Sequence, residues 1–166
     1  MSEQINMQTK IGDKFKKVLN GDKLKAAQDF IACLFNIGMT PMNDEDGNIR
    51  FGYKGQLTCI IIYWDDCWFI CDAPASDYEG YRINDDLKEF AWAHVKTCNV
   101  FEGNPCGCGS EPGKNFTVFG KDYKNICTSE LQFFDPDAKT LKNVKKLMDL
   151  WICKIDNIDG YNSQDR

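Results

Sequence analysis

At 166 residues, 43% of them hydrophobic and 13% aromatic, the chain is long enough to bury one well-packed core and too apolar for a disordered polymer. Its net charge of −5 is unevenly spread: residues 1–25 hold six lysines against three acids, whereas residues 29–111 hold fourteen acids against five basic side chains, a net of −9. A middle of that sign repels phosphates, so it argues against a nucleic-acid partner; it suits either a basic protein partner or an acidic, solvated face that keeps the protein soluble. Even a continuous apolar run as long as Cys59 to Trp64 falls far short of the roughly 20 residues that cross a bilayer, and the polar start Met1-Ser2-Glu3-Gln4 has no apolar signal core. These features predict a soluble cytoplasmic protein with no membrane span.

Residues 1–20 carry no sustained apolar stripe, which predicts a loose N-terminal arm or a short helix. A single domain is expected over residues 21–156. It opens on a helix capped by Asp22, with Leu24, Ala27, Ile31, Leu34 and Phe35 at helical spacing and a stop at Gly38. Ile49, Phe51 and Tyr53 then alternate with polar or small residues, the period of a half-buried strand, entered through the turn-forming run Asn43 to Asn48. Lys54-Gly55 offers the next turn. Leu57 to Trp64, apolar on both faces, is the expected central strand. Asp65-Asp66 would turn the chain into Cys67 to Cys71, setting Tyr63 across from Trp68 if the turn has two residues.

Asn84 is a good N-cap, and Leu87, Phe90, Ala91, His94, Val95 and Cys98 follow at spacings that share one helix face. Residues 99–114, rich in glycine, proline and cysteine, read as a loop, and Phe116 to Phe119 and Thr128 to Phe134 as strands. Asp135-Pro136 offers a cap with proline at the first helical position, opening a helix with Leu141, Val144, Met148 and Trp151 on one face. Residues 157–166 read as a polar tail. The order α-β-β-β-α-β-β-α, with short turns between strands, predicts an α+β fold: an antiparallel sheet of about five or six strands with helices packed on it.

Several familiar chemistries fail on spacing. Aligning Gly47 with the sixth position of a calcium loop puts Met42 and Tyr53 where ligating carboxylates are needed. Gly109 and Gly113 stand too close for a phosphate-binding loop, and Asn115 follows Lys114 where Ser or Thr is required. His94, the only histidine, lies on the apolar face of its expected helix, and neither a nucleophile elbow nor a paired-histidine metal motif accompanies it. Asp65-Asp66 and Asp85-Asp86 are accounted for by a turn and a helix start.

The chain has nine cysteines, an odd number with several inside hydrophobic runs, which reads as a set of reduced thiols. Cys106 and Cys108 sit in the glycine-rich run Asn104 to Ser110, which can aim both sulfurs at one point; Cys127 follows one strand later, and His94 and Cys98 precede the loop. Three or four soft ligands of this kind suit a tetrahedral zinc. The segment resembles the SEC-C type zinc motif: Asn104 to Ser110 matches its opening, and Gly120-Lys121-Asp122-Tyr123-Lys124 with Cys127 matches its close. Glu111 to Phe119 is an insertion relative to that motif, and Ile126 stands where its third cysteine belongs. The resemblance implies zinc on Cys106, Cys108 and Cys127, with Cys98 or His94 as the fourth ligand. The functional expectation is a non-catalytic intracellular binding or regulatory module acting through protein–protein contacts, with a structural zinc on Cys106, Cys108, Cys127 and Cys98. The alternative is a cysteine-dependent or metal-assisted enzyme built on the Cys106/Cys108 loop.

Overall fold

The structure, a computed structural model, describes residues 2–45, 47–72, 83–98 and 113–156. Its elements run α1 (Ser2–Phe15), α2 (Gly21–Asn36), β1 (Thr40–Glu45), β2 (Asn48–Tyr53), β3 (Gln56–Trp64), β4 (Cys67–Asp72), α3 (Asp85–Ala93), β5 (Val95–Thr97), β6 (Lys114–Val118), β7 (Lys121–Phe134) and α4 (Ala138–Ile155). The fold is α+β with antiparallel strand pairing. No helix among the described residues is long and apolar enough to cross a membrane. Contacts divide the chain into two compact units, Met1–Ile70 with Phe133–Lys145, and Cys71–Gln132 with Lys146–Arg166.

Unit 1 holds α1, α2 and a sheet in the order β1-β2-β3-β4, with the end of β7 beside β4. The β2–β3 and β3–β4 connections are two-residue turns, as expected, and both central residues of each lie in the left-handed region: Lys54 (φ 48) with Gly55 (φ 79), and Asp65 (φ 37) with Asp66 (φ 61). That geometry matches the right-handed twist of the flanking strands. Alternation along the strands then sorts the side chains. Ile49, Phe51, Cys59, Ile61, Tyr63, Trp68 and Ile70 are buried. They meet the helices through ring contacts: Phe15 of α1 edge-on to Tyr63 at 4.9 Å, Phe30 of α2 on Trp68 at 6.3 Å, and Phe35 of α2 edge-on to Phe51 at 5.8 Å.

Of the arm or short helix expected over residues 1–20, the structure shows a helix: Ser2–Phe15 form α1, anchored by Ile11 and Phe15, four residues apart and both fully buried. One correction concerns this unit. Thr40–Glu45, taken from sequence as loop and turn, form β1; Pro41 is tolerated there because β1 is an edge strand, where a missing N–H costs no ladder bond.

The helix starts also differ from expectation. The residue before α2 is Asn20, not Asp22, and its side chain donates to Asp66 Oδ1 at 3.0 Å instead of capping the helix. Gly38 (φ 86) ends α2 as expected, with its N–H on Phe35 O and that of Met39 on Leu34 O. At α4 the cap is Asp137, whose Oδ1 accepts the Thr140 N–H at 2.7 Å, not Asp135. Asp135 has another task. Its N–H donates to Trp68 O at 2.8 Å, its Oδ1 accepts the Trp68 N–H at 3.0 Å, and its Oδ2 takes the Lys23 ammonium at 2.9 Å.

In unit 2, β7 pairs antiparallel with both β5 and β6. The described strands therefore number seven, more than the five or six expected; the strand expected over Phe116 to Phe119 is β6, and β7 runs unbroken from Lys121 to Phe134, where the sequence predicts only Thr128 to Phe134. Polar residues Lys121 to Asn125 hide the strand in sequence; the β6–β7 turn at Phe119 (φ 47) and Gly120 (φ 81) and the β6 ladder create it. Helix α3 is capped by Asn84, which accepts the Leu87 N–H at 2.9 Å, but it stops at Ala93. The helical periodicity of Val95 and Cys98 loses to strand pairing: β-branched Val95 and Thr97 stand opposite Leu131 and Ile126 of β7.

Asp135 sits at φ 38, a region that costs most side chains energy, so its role can be separated from its backbone. Asp135→Gly relieves the conformation but orphans the Trp68 N–H, and we expect a loss of about 1–2 kcal/mol in urea unfolding; Asp135→Asn, which keeps an acceptor and tolerates this φ, should cost less. The hydrogen bond to Asp135 raises the Lys23 pKa above its ordinary 10.5. A raised value means that this contribution is complete below pH 10.5 and fades as pH climbs through the higher folded value. Lys23→Met should accordingly flatten the alkaline limb of the stability profile.

Candidate functional site

The residues expected to bind zinc divide between described and undescribed parts of the chain. Cys106 and Cys108 lie outside the described residues. Cys98 and Cys127 lie in unit 2, both buried. The register Thr97↔Ile126 sets Cys98 opposite Asn125, two residues before Cys127 on the neighbouring strand. The Cys98 N–H donates to Asn125 O and its carbonyl accepts Asn125 Nδ2, both at 2.7 Å. Asn125 adopts φ 55, which its short amide side chain tolerates, and a Cβ on Gly113 would fall 2.5 Å from Asn125 Oδ1 and 2.6 Å from Cys98 Cβ. Backbone approaches Cys98 so closely there that only glycine fits. Among the described residues no three His, Cys, Asp or Glu side chains converge as a metal site.

His94 does not share a helix face with Cys98, because α3 ends one residue before it. His94 is the C-cap: its Nδ1 lies 2.7 Å from Phe90 O, and its ring is 4.5 Å from that of Phe90. A carbonyl can only accept, so Nδ1 carries the proton in this contact and the imidazole is tied to the helix end. Two shallow grooves flank α1 in unit 1, about 370 Å³ beside Thr9 and Gln28 and about 400 Å³ beside Met7 and Met39. The ionisable group lining the first, Lys16, is bonded to Asp13 at 2.9 Å. Neither groove sets an acid beside a base or a nucleophile.

The feature that sequence reading missed is on the sheet of unit 1. On β3, Cys59, Ile61 and Tyr63 are buried, which leaves Ile60, Ile62 and Trp64 on the opposite face, two half-buried and Trp64 45% exposed. Phe69 of the neighbouring strand meets Trp64 edge-on with centroids 5.2 Å apart, and stacks on Phe134, the last residue of β7, at 4.7 Å and 29°. Phe134 is 58% exposed. Three aromatic rings thus form a ladder across three adjacent strands, its two ends open to solvent. The signal was present in the sequence: a strand apolar on both faces has a second apolar face besides the one whose Tyr63 meets α1.

No protein-family model, no curated protein and no solved structure matches this chain.

Proposed function

We propose that the chain is a non-catalytic binding or regulatory module that acts through protein–protein contacts, with the ladder Trp64, Phe69 and Phe134 as its contact surface. The observation that carries this reading is the exposure of two large rings locked against a third. Tryptophan and other aromatics placed on rigid strands lose little conformational freedom on docking and are enriched among residues that dominate binding energy. Stacking fixes the rings before a partner arrives, which lowers the ordering cost of association. Exposed single apolar residues are common on any protein, but a contiguous aromatic group is a different matter.

A photocrosslinking residue at position 134, introduced in the native host, should give a discrete protein adduct that disappears when Trp64→Ser is added. The same residue at Glu89, exposed on α3 of unit 2, should not give that adduct. Identical patterns from both positions, or no adduct from 134, would remove the reading.

The same proposal gives unit 2 a structural zinc on Cys98, Cys106, Cys108 and Cys127, supported by the placement of Cys98, directly after β5, opposite Asn125 and so near Cys127 of β7. Thiolate ligands exist only with the metal, so its binding energy would add to the folding of this unit. Elemental analysis is expected to find about one zinc per chain, reduced by Cys108→Ser and unchanged by Cys33→Ser in α2. Protein purified metal-free from zinc-supplemented medium, with a melting temperature indifferent to chelator, would contradict it.

A further inference from the structure

The aromatic ladder lies at the end of the unit 1 sheet where acids collect. Gly47 O accepts the Tyr63 N–H at 3.1 Å and Asn48 stands opposite Ile62, so the β1–β2 hairpin reaches the last residues of β3. Asp65 and Asp66 form the turn directly after Trp64, and Asp135 directly follows Phe134. Lys23 answers two of these three acids, Asp135 at 2.9 Å and Asp66 at 3.9 Å, and Asp65 is exposed. The rings and the charges therefore belong to one end of one sheet.

From this juxtaposition we infer that the partner of the surface is a basic protein segment, whose Lys or Arg side chains lie over the exposed rings of Trp64 and Phe134 while acids at the rim answer their charge. The inference rests on the reading of the ladder as a contact surface. An aromatic face carries negative charge density and attracts ammonium or guanidinium groups, most strongly when the cation is partly desolvated. Acids beside the rings add long-range steering and a counter-charge. A neutral apolar partner would strip water from Asp65 without compensating it, and a nucleic acid or anionic membrane would be repelled outright. Lys and Arg also bring aliphatic stems that cover ring surface, so one side chain satisfies both parts of the patch.

The test is selection of a phage-displayed random peptide library on the immobilised full chain, with parallel selections on Trp64→Ser, Phe134→Ser and Asp65→Asn. Asparagine tolerates the left-handed conformation at position 65, so Asp65→Asn removes charge and keeps the turn. We expect Lys and Arg to be enriched about threefold over the unselected library, retention to fall with added salt, and the pool to be lost on both aromatic variants and weakened on Asp65→Asn. A pool that depends on Trp64 and Phe134 but carries no basic excess would overturn the assignment of the partner and leave the contact surface standing. A pool retained equally by the aromatic variants would overturn both, and so would recovery of no pool at all.

Discussion

Unit 1 is assembled from two stretches of chain far apart in sequence, and the Asp135 carboxylate is where the second stretch is fastened to the first. One residue exchanges two backbone-level hydrogen bonds with Trp68 of β4 and takes the ammonium of Lys23 from α2, 112 positions away. It does so at φ 38, a conformation held only because the surrounding bonds fix it. The consequences spread outward from this point. Trp68 is positioned to receive Phe30 of α2, and Lys23 also reaches the carbonyl of Asp66 at 2.6 Å, tying the β3–β4 turn to the helix. Phe134, the residue before Asp135, is set against Phe69. Much of the clamp's worth lies in satisfying buried backbone groups, because its ion pairs are partly exposed and screened by water.

Much of this architecture can be read from the sequence, and the rest is hidden for identifiable reasons. Period-two alternation, turn residues and apolar periodicity locate α2, β2, β3, β4 and α4, since each rests on local signals. Asn84 is visible as a cap because its side chain acts within one helical turn. Elements created by distant pairing are less visible: β1 carries a proline, β5 carries a helical pattern that continues α3, and the first half of β7 is polar. Asp135 shows how a local rule misleads. Asp-Pro is a good helix start, yet the cap falls to Asp137 and Asp135 serves a strand that lies 67 residues earlier.

The candidate surface was partly legible in the same way. The apolar character of Ile60, Ile62 and Trp64 marks β3 as covered on both faces, but the sequence does not say that Phe69 and Phe134 complete a ladder, because that depends on β7 lying beside β4. The acidic middle of the chain is plain from composition, and Asp65 and Asp66 directly follow Trp64 in sequence, whereas the arrival of Asp135 beside them depends on β7 lying next to β4. The expected helical pairing of His94 with Cys98 fails for the converse reason, as strand pairing of Val95 and Thr97 with β7 overrides a local periodicity.

An exposed ladder kept for a partner and a ladder that covers the fold predict opposite costs for its removal. The most direct measurement is urea unfolding of the full chain carrying Trp64→Ser and Phe134→Ser together. If the rings are a free surface, the double substitution should cost less than about 2 kcal/mol, the scale of a partly exposed aromatic contact. A loss of about 5 kcal/mol or more, the scale of emptying a core site twice over, would show that these rings are part of the core and contradict the account.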